Sequence, residues 1–162
     1  CIVPRPNTCT ANVCAYWCNA MIPHSFPVTV YYEDTDMAGI VYYANYLRFL
    51  ERGRSDLVRG AGIDQSALLD RDGIMFPVRR CEIDYLRPAR LDDEIEVRTR
   101  IRKIGGASMD LDQDIHRGDD TLVRAKVRLA CVGPDGGPKR MPGAVRAALA
   151  NININSATLG SS

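Results

Sequence analysis

The chain has 162 residues, the usual length of one domain, and its 46% hydrophobic and 25% charged residues are ordinary for a globular protein. Its 21 lysines and arginines nearly balance its 20 aspartates and glutamates, leaving a formal net charge of +1. This balance excludes a strongly basic nucleic-acid-binding protein and an acidic disordered tail. No apolar stretch approaches the roughly 20 residues that a membrane-spanning helix needs.

The two ends of the chain differ from its middle. Residues 1–20 carry a single charge, on Arg5, and lack the basic start and long apolar run of a secretory signal; Met21 follows them directly. We interpret residues 1–20 as a non-native or disordered extension, residues 21–150 as one domain, and the uncharged residues 151–162 as a C-terminal tail. Without a secretory signal, a cytoplasmic location is expected.

The six cysteines follow neither a metal-binding nor a disulfide pattern. Four lie within the first 18 residues, without paired Cys-x-x-Cys spacing or a histidine among them, so no metal site is predicted. Cys81 and Cys131 lie in alternating, strand-like segments, where cysteine usually behaves as a small hydrophobic residue. We therefore expect both of these side chains to be buried.

The folded part opens with a strand, a turn and a helix. Apolar residues alternate from Phe26 to Tyr32, and the acidic, turn-like run 34–39 follows. The next apolar residues recur at helical spacing, which predicts one long amphipathic helix. Its apolar face is formed by Tyr43, Tyr46, Leu47, Leu50, Gly53, Leu57 and Val58.

Four glycines and one aspartate have special positions in the helical region. Gly53, in the middle of the apolar face, allows another backbone to approach closely. Gly60 and Gly62 end the long helix, and Asp64 caps a short second helix that Gly73 stops.

Four alternating segments complete the domain and predict an antiparallel sheet, with glycine-containing turns between the last three. One face of such a sheet is buried, and a long helix lying across that face is the economical arrangement. The sequence therefore predicts an α+β fold. The four segments are residues 81–85, 95–101, 109–115 and 123–131.

Familiar catalytic motifs are missing from the sequence. The chain has two histidines, His24 and His116, and no Gly-x-Ser-x-Gly elbow, phosphate-binding loop or dinucleotide-binding motif. The acidic turn before the long helix remains. Its carboxylates could serve only to stabilise the helix N-terminus, at about 0.3–1 kcal/mol each.

A chemical role for the same turn is more specific. A carboxylate just before a helix faces free backbone N–H groups, which can hold the carbonyl oxygen of an ester or thioester. The carboxylate can attack that carbonyl carbon or activate a water beside it. Gly39 lets the chain pass close to the substrate, and such a site needs no metal.

Two separated motifs resemble a known family. The run 31–46, YYEDTDMAGIVYYANY, continued by Phe49, Glu51 and Arg54, is similar to the hot-dog-fold acyl-CoA thioesterases of the 4-hydroxybenzoyl-CoA thioesterase family. Together with the run 85–93, YLRPARLDD, it is most similar to the Tol–Pal-associated branch. The resemblance covers essentially the whole domain.

The resemblance implies a fold, an assembly and a reaction. The fold is a long helix wrapped by a curved antiparallel sheet, and the assembly is a homodimer or homotetramer with active sites at subunit interfaces. The reaction is hydrolysis of an acyl-CoA to a carboxylic acid and free CoA. Asp36 matches the catalytic carboxylate, acting as nucleophile or general base, and the backbone N–H of Tyr43 matches the donor that polarises the thioester carbonyl.

Further residues follow from the same resemblance. Glu51 is placed near the active-site end of the helix, where it orients a group or a water; alternatively it is a surface carboxylate paired with a neighbouring side chain. Phe76 and Pro77 are candidates for the acyl pocket or for core packing. Tyr43 stands where the Tol–Pal branch has histidine and the aromatic-CoA branch has tyrosine, so the acyl group stays open. Cationic candidates for the CoA phosphates are Arg102, Lys103, Lys139 and Arg140.

Two rival functions remain at this point. A hot-dog hydratase or dehydratase needs a histidine paired with a helix carboxylate, and none lies between His24 and His116. A non-catalytic module that binds acyl-CoA or acyl carrier protein, or a cell-envelope assembly partner, would gain nothing from a carboxylate aimed at a thioester. The sequence thus favours a thioesterase without a cofactor, since coenzyme A is part of the substrate, with acyl carrier protein as a candidate partner.

Overall fold

The computed structural model describes residues 23–158, so the expected extension, residues 1–20, lies outside the described part. The strands are β1 (His24–Thr29), β2 (Val78–Tyr85), β3 (Glu94–Ile104), β4 (Ser108–Arg117) and β5 (Asp120–Ala130). The helices are α1 (Asn45–Gly60), α2 (Gln65–Asp72) and α3 (Gly143–Thr158).

The five strands form one antiparallel sheet in the order β1-β3-β4-β5-β2. Along β3, β4 and β5 the side chains alternate between buried and more exposed positions, as the sequence pattern predicted. One face of the sheet therefore forms the core. On the other face, basic residues of β3 and β5 lie opposite acidic residues of β4, as in the pair of Asp110 with Arg128.

Helix α1 packs across the buried face, against β1 and β3. Its buried side chains include Tyr46, Phe49, Leu50 and Leu57. Gly53 allows the close approach that the sequence suggested, because a Cβ atom there would lie 2.7 Å from a methyl carbon of Val97. The α+β prediction is confirmed, with the long helix central to the core.

Two boundaries differ from the sequence-based expectation. The first strand ends at Thr29 and not at Tyr32, which is 81% exposed, because a 3₁₀ turn at Tyr32–Asp34 redirects the chain. Tyr43 was expected on the apolar helix face, but it lies in the turn before α1 and is 61% exposed. Leu47, within α1, is 43% exposed on the margin of that face.

The expectation that Cys81 is buried is wrong, whereas Cys131 is fully buried. Cys81 lies on β2, which occupies an edge of the sheet, and seven of the eight residues of β2 are exposed. Alternation alone does not reveal whether a helix covers a given strand. Here α1 covers β1 and β3, and Cys81 is left outside the covered area.

Helix α2 begins and ends at local signals, whereas the length of helix α3 depends on packing against the core. Asp64 caps α2 by accepting a hydrogen bond from the backbone N–H of Ala67, and Gly73 ends it in the left-handed conformation, as predicted. Helix α3 continues past residue 150, the expected end of the domain, because Leu149 is buried and Ile152 packs against the core. None of the helices described is long and apolar enough to cross a membrane.

Candidate active site

The acidic turn is a tightly bonded loop that leads into α1. Asp34 is buried, and its carboxylate accepts a hydrogen bond from the backbone N–H of Tyr31. Its carbonyl oxygen accepts from the N–H of Tyr42 and from the side-chain amide of Asn45. Asp34 therefore shapes the loop and fixes it to the start of the helix.

Asp36 lies on the exposed side of the same loop. Thr35 pairs with Val41 as an isolated β-bridge, so the chain folds back on itself around Asp36. Its Oδ1 accepts a hydrogen bond of 2.8 Å from the N–H of Ala38, and Oδ2 has no protein partner among the described residues. Gly39 has a φ of +70° that closes the turn. The carboxylate is thus held by one oxygen and presents the other to a ligand.

The start of α1 offers unpaired hydrogen-bond donors. The N-cap residue, Ala44, has no side chain that could cap the helix. Within residues 23–158, the backbone N–H groups of Tyr43 and Ala44 donate to no other residue. Free N–H groups at the positive end of a helix form a site that attracts negative charge. The loop thus brings a free carboxylate oxygen and two free donors to neighbouring segments.

Tyr85 supports this turn from the sheet. Its hydroxyl donates a hydrogen bond of 3.0 Å to the carbonyl oxygen of Tyr43, and the two rings meet edge-to-face. Burial raises the pKa of the Tyr85 hydroxyl, which keeps it protonated and able to donate. The sequence offered no sign of this role, because the two residues are far apart along the chain. Only the pairing of β2 with the sheet brings them together.

Glu51 belongs to a polar network under α1. Its carboxylate pairs with the guanidinium of Arg54 and accepts a longer bond from Ser55. Arg54 is buried, and its second nitrogen donates to the fully buried Gln113, which in turn donates to the carbonyl oxygen of Leu50. Glu51 is therefore the counter-ion of a buried arginine, and its role near a substrate stays a prediction.

The sequence indicated two members of this network but not their contact. Gln113 lies in the alternating segment 109–115 and Arg54 belongs to the motif that carries the resemblance, but nothing in the sequence linked the two. A buried guanidinium is stable only when its charge and donors are satisfied. In the structure Arg54 has both a carboxylate and an amide partner.

The two residues predicted for the acyl pocket, Phe76 and Pro77, do not line the same cavity. Phe76 is half-buried and lines a cavity shared with Glu51 and Arg54. Pro77 is exposed and does not line this cavity; its carbonyl oxygen accepts a hydrogen bond from Ala130. Within one protomer the structure therefore groups Phe76, and not Pro77, with Glu51.

The four cationic residues expected near the CoA phosphates lie far from Asp36 within one protomer. The Asp36 loop bridges to Arg90, close to the start of β3, whereas the four cations surround the turn after that strand. Along β3, Arg102 lies eight residues beyond Glu94, a span of about 26 Å. The cations are Arg102, Lys103, Lys139 and Arg140. Two of them have protein partners, Arg102 with Asp112 and Lys139 with the carbonyl oxygen of Asp72.

The described residues contain no cluster of histidine, cysteine, aspartate and glutamate that could hold a metal ion. The arrangement that is present suits acyl transfer to water. A carboxylate and backbone donors lie on neighbouring segments of one loop, and such donors can bind a carbonyl oxygen as negative charge develops on it.

Comparisons with known proteins agree with this chemistry. The sequence matches the Thioesterase superfamily over residues 38–124, more than half of the chain. Over 108 residues it is 43% identical to the acyl-CoA thioesterase YbgC of Haemophilus influenzae. This alignment covers 67% of this chain and 79% of that protein. It is 42% identical over 110 residues to the acyl-CoA thioester hydrolase YbgC of Escherichia coli O6:H1, covering 67% of this chain and 81% of that protein.

Structural comparison gives the same answer. A probable thioesterase from Bartonella henselae superposes with a TM-score of 0.71 at 40% sequence identity, over 74% of this chain and 99% of that one. The fold is therefore the hot-dog fold, and the chain belongs to the thioesterase superfamily. It is a thioester hydrolase, and the resemblance carried by its two motifs is confirmed.

Proposed function

We propose that this protein hydrolyses acyl-CoA thioesters to a carboxylic acid and free CoA, with Asp36 as the catalytic carboxylate. The observation that carries the proposal is that the Asp36 loop, with its free Oδ2, leads directly into the unpaired N–H groups of Tyr43 and Ala44 at the start of α1. The relatives named acyl-CoA thioesterase and acyl-CoA thioester hydrolase support the choice of acyl-CoA as substrate.

The reaction begins with addition to the thioester carbonyl carbon. Either the Asp36 carboxylate attacks it directly, or Asp36 takes a proton from a water whose oxygen attacks. The carbonyl electrons move to oxygen, and the N–H groups of Tyr43 and Ala44 stabilise the resulting oxyanion. One such donor is typically worth about 2.7–4 kcal/mol in the transition state.

Collapse of the addition product breaks the carbon–sulfur bond. In the water route, the proton held by Asp36 passes to the departing CoA thiolate, which leaves the acid and free CoA. In the direct route, CoA leaves as the thiolate when an anhydride forms on Asp36. Water then cleaves the anhydride to the acid and the Asp36 carboxylate, and the proton released from that water passes to the thiolate. Both routes need the carboxylate charge, and neither needs a metal or a cofactor.

The decisive experiment compares CoA release by the wild type and by Asp36→Asn, with short-chain, long-chain and aromatic acyl-CoAs. Asparagine keeps the shape of the side chain but cannot take the proton or form the anhydride. We expect a loss of at least about 100-fold. Glu33→Gln is the matched control, because it removes an exposed charge from the same loop, and we expect it to keep activity within about twofold.

Either of two outcomes would change the proposal. Full activity in Asp36→Asn would refute the assigned mechanism. Acyl-CoA binding without turnover by the wild type would make the protein a binding module instead.

The same proposal includes a homodimer joined along β2. This strand is a sheet edge of eight residues without proline, whereas the opposite edge, β1, contains Pro27, which cannot donate a ladder hydrogen bond. Light scattering should give at least twice the chain mass of 17.9 kDa. A fourfold mass would indicate a tetramer, and a clean monomer would refute the interface.

A further inference from the structure

Strand β2 has one open edge. It stands last in the sheet, and among the described residues it pairs only with β5. The N–H of Leu86, directly after the strand, donates to the carbonyl oxygen of Leu122 on the β5 side. Because the N–H and C=O groups alternate in direction along a strand, residues 81, 83 and 85 direct theirs to the open edge. Such a row of backbone groups is a template for another strand.

A second copy of this chain fits the open edge only in certain registers. The two β2 strands run antiparallel about a two-fold axis perpendicular to the sheet, so residues directly opposite each other lie on the same face of both copies. The axis then passes through one residue, which faces its own copy. Near the middle of β2 this residue is Arg80, Cys81, Glu82 or Ile83.

The charges on β2 separate these four choices. Arg80, Glu82 and Asp84 share the outer face of the sheet and are exposed. An axis at Arg80 sets that cation against itself, and an axis at Glu82 sets that anion against itself. An axis at Ile83 sets Glu82 against Asp84 twice. Only an axis at Cys81 leaves no like charges opposite each other, because it sets Arg80 against Glu82 on both sides.

These charges select a register more than they add stability. Arg80 pairs with Glu82 of its own strand, and both side chains are exposed, so each ion pair contributes little free energy. A wrong register, however, replaces attraction between facing charges by repulsion. With the axis at Cys81, two arginines and two glutamates form one closed ring of alternating charge on the outer face.

We propose that two copies pair their β2 strands about an axis at Cys81, with Arg80 against Glu82 of the partner subunit and Cys81 against Cys81 of the partner subunit. This inference rests on the homodimer of the proposed function and adds its register. The register places residues 76–79 of the partner subunit opposite residues 83–85. They lie beside Tyr85, whose hydroxyl donates to the carbonyl oxygen of Tyr43, so the partner borders the turn before α1.

Disulfide formation measures this register directly. Facing residues with outward N–H groups have Cα atoms about 5.5 Å apart, which suits a disulfide. Moving the axis by one residue separates the Cα atoms of the two Cys81 residues to about 8 Å, which is too far. The oxidant is diamide, which takes up two protons and two electrons and becomes the hydrazine as the two thiols form one disulfide.

The full chain is oxidised with the four cysteines of residues 1–20 replaced by serine, and Cys131 is retained because it is fully buried. Most of this protein should run as a covalent dimer on a non-reducing gel. The matched control combines Cys81→Ser with Ile83→Cys, which moves the thiol two residues along the same face and keeps Arg80 and Glu82. The control should stay uncross-linked, because each thiol then lies away from its own copy.

Charge reversal tests the register without a thiol. Arg80→Glu sets like charges opposite each other twice, and it should raise the dimer dissociation constant at least about tenfold in fluorescence-detected sedimentation. Glu82→Arg should do the same. The double variant exchanges the charges and restores both contacts, so its dissociation constant should return to within about threefold of the wild type. With an axis at Glu82, the double variant would stay as weak as Arg80→Glu, because position 80 then faces Asp84.

The outcomes separate the register from the homodimer. Cross-linking through Cys81 but not through Ile83→Cys, together with recovery in the double variant, supports the register. A dimer that does not cross-link through Cys81, that cross-links equally through Ile83→Cys, or that does not recover in the double variant refutes the register, while the homodimer stands. A wild type that is monomeric by light scattering refutes both, and CoA release still judges thioester hydrolysis.

Discussion

At Gly53, α1 approaches the sheet too closely for a side chain, and this position allows a sharp test of the packing. A Cβ atom at this position would lie 2.7 Å from Cγ1 of Val97 and 3.2 Å from its Cβ. Val97 is fully buried on β3, and its β-branched side chain has few alternative rotamers. Neither the helix nor the strand can move away without disturbing the core.

The net effect of Gly53→Ala is the difference between two terms. Alanine is better than glycine inside a helix by about 1 kcal/mol. Overpacking of a dense core typically costs about 1–3 kcal/mol, and the rigid neighbour places this site in the upper part of that range. We expect a net loss of about 1–2 kcal/mol, which lowers the Tm by about 3–6 °C for a chain of this size.

Urea unfolding at fixed protein concentration is the assay, because the stability of the proposed homodimer depends on concentration. Gly60→Ala is the matched control: Gly60 lies in the same helix, and nothing stands within 4 Å of the Cβ position. Gly60→Ala should raise the free energy of unfolding by about 0.4–1 kcal/mol. Adding Gly53→Ala to Val97→Ala should cost far less than adding it to the wild type, because the new methyl group fills vacated space.

Either of two results would refute this account of the packing at Gly53. If Gly53→Ala stabilises the protein as much as Gly60→Ala does, the helix does not approach β3 as closely as described. If the Val97→Ala background gives no relief, the cost arises elsewhere.

Three further predictions concern single interactions. Asp64→Ala removes the cap of α2 and should cost about 1 kcal/mol in urea unfolding, whereas Asp64→Asn should cost little. Tyr46→Phe leaves the buried N–H of Ala89 without its 2.8 Å partner and should cost about 1–3 kcal/mol; an unchanged stability would contradict that bond. The hydrogen bond from Arg128 lowers the pKa of Asp110, so this pair stabilises the fold at neutral pH, and its contribution is lost as the pH falls through that lowered pKa. Asp110→Asn should therefore flatten the acid side of the stability curve, below about pH 4.

The candidate site could be predicted from sequence to the extent that its parts are local. Asp36, Gly39 and Tyr43 lie within eight consecutive positions, so one motif names them together. The structure adds what the motif cannot contain, such as the hydroxyl of Tyr85 on the carbonyl oxygen of Tyr43, 42 residues away. That contact depends on strand order, which no local pattern specifies.

Glu51 illustrates the same limit. The sequence offered an orienting role near the active site and an ion pair with a neighbouring side chain, and it could not identify the partners of Glu51. Arg54 and Gln113, 59 residues apart, meet only because β4 runs under α1, and their bond explains why Glu51 is held where it is. The buried charge of Arg54 needs a carboxylate, and Glu51 is the nearest one on the same helix face.

The sequence by itself determined the five strand segments, helices α1 and α2, the cap at Asp64, the stop at Gly73, and the acidic turn before α1. These depend on periodicity and on backbone preferences, which act over a few residues. Only the tertiary structure decided that β2 is an edge strand with Cys81 exposed, that α3 packs Leu149 into the core, and that the four expected cations lie far from Asp36 within one protomer. These features depend on which elements become neighbours, and that is a property of the whole fold.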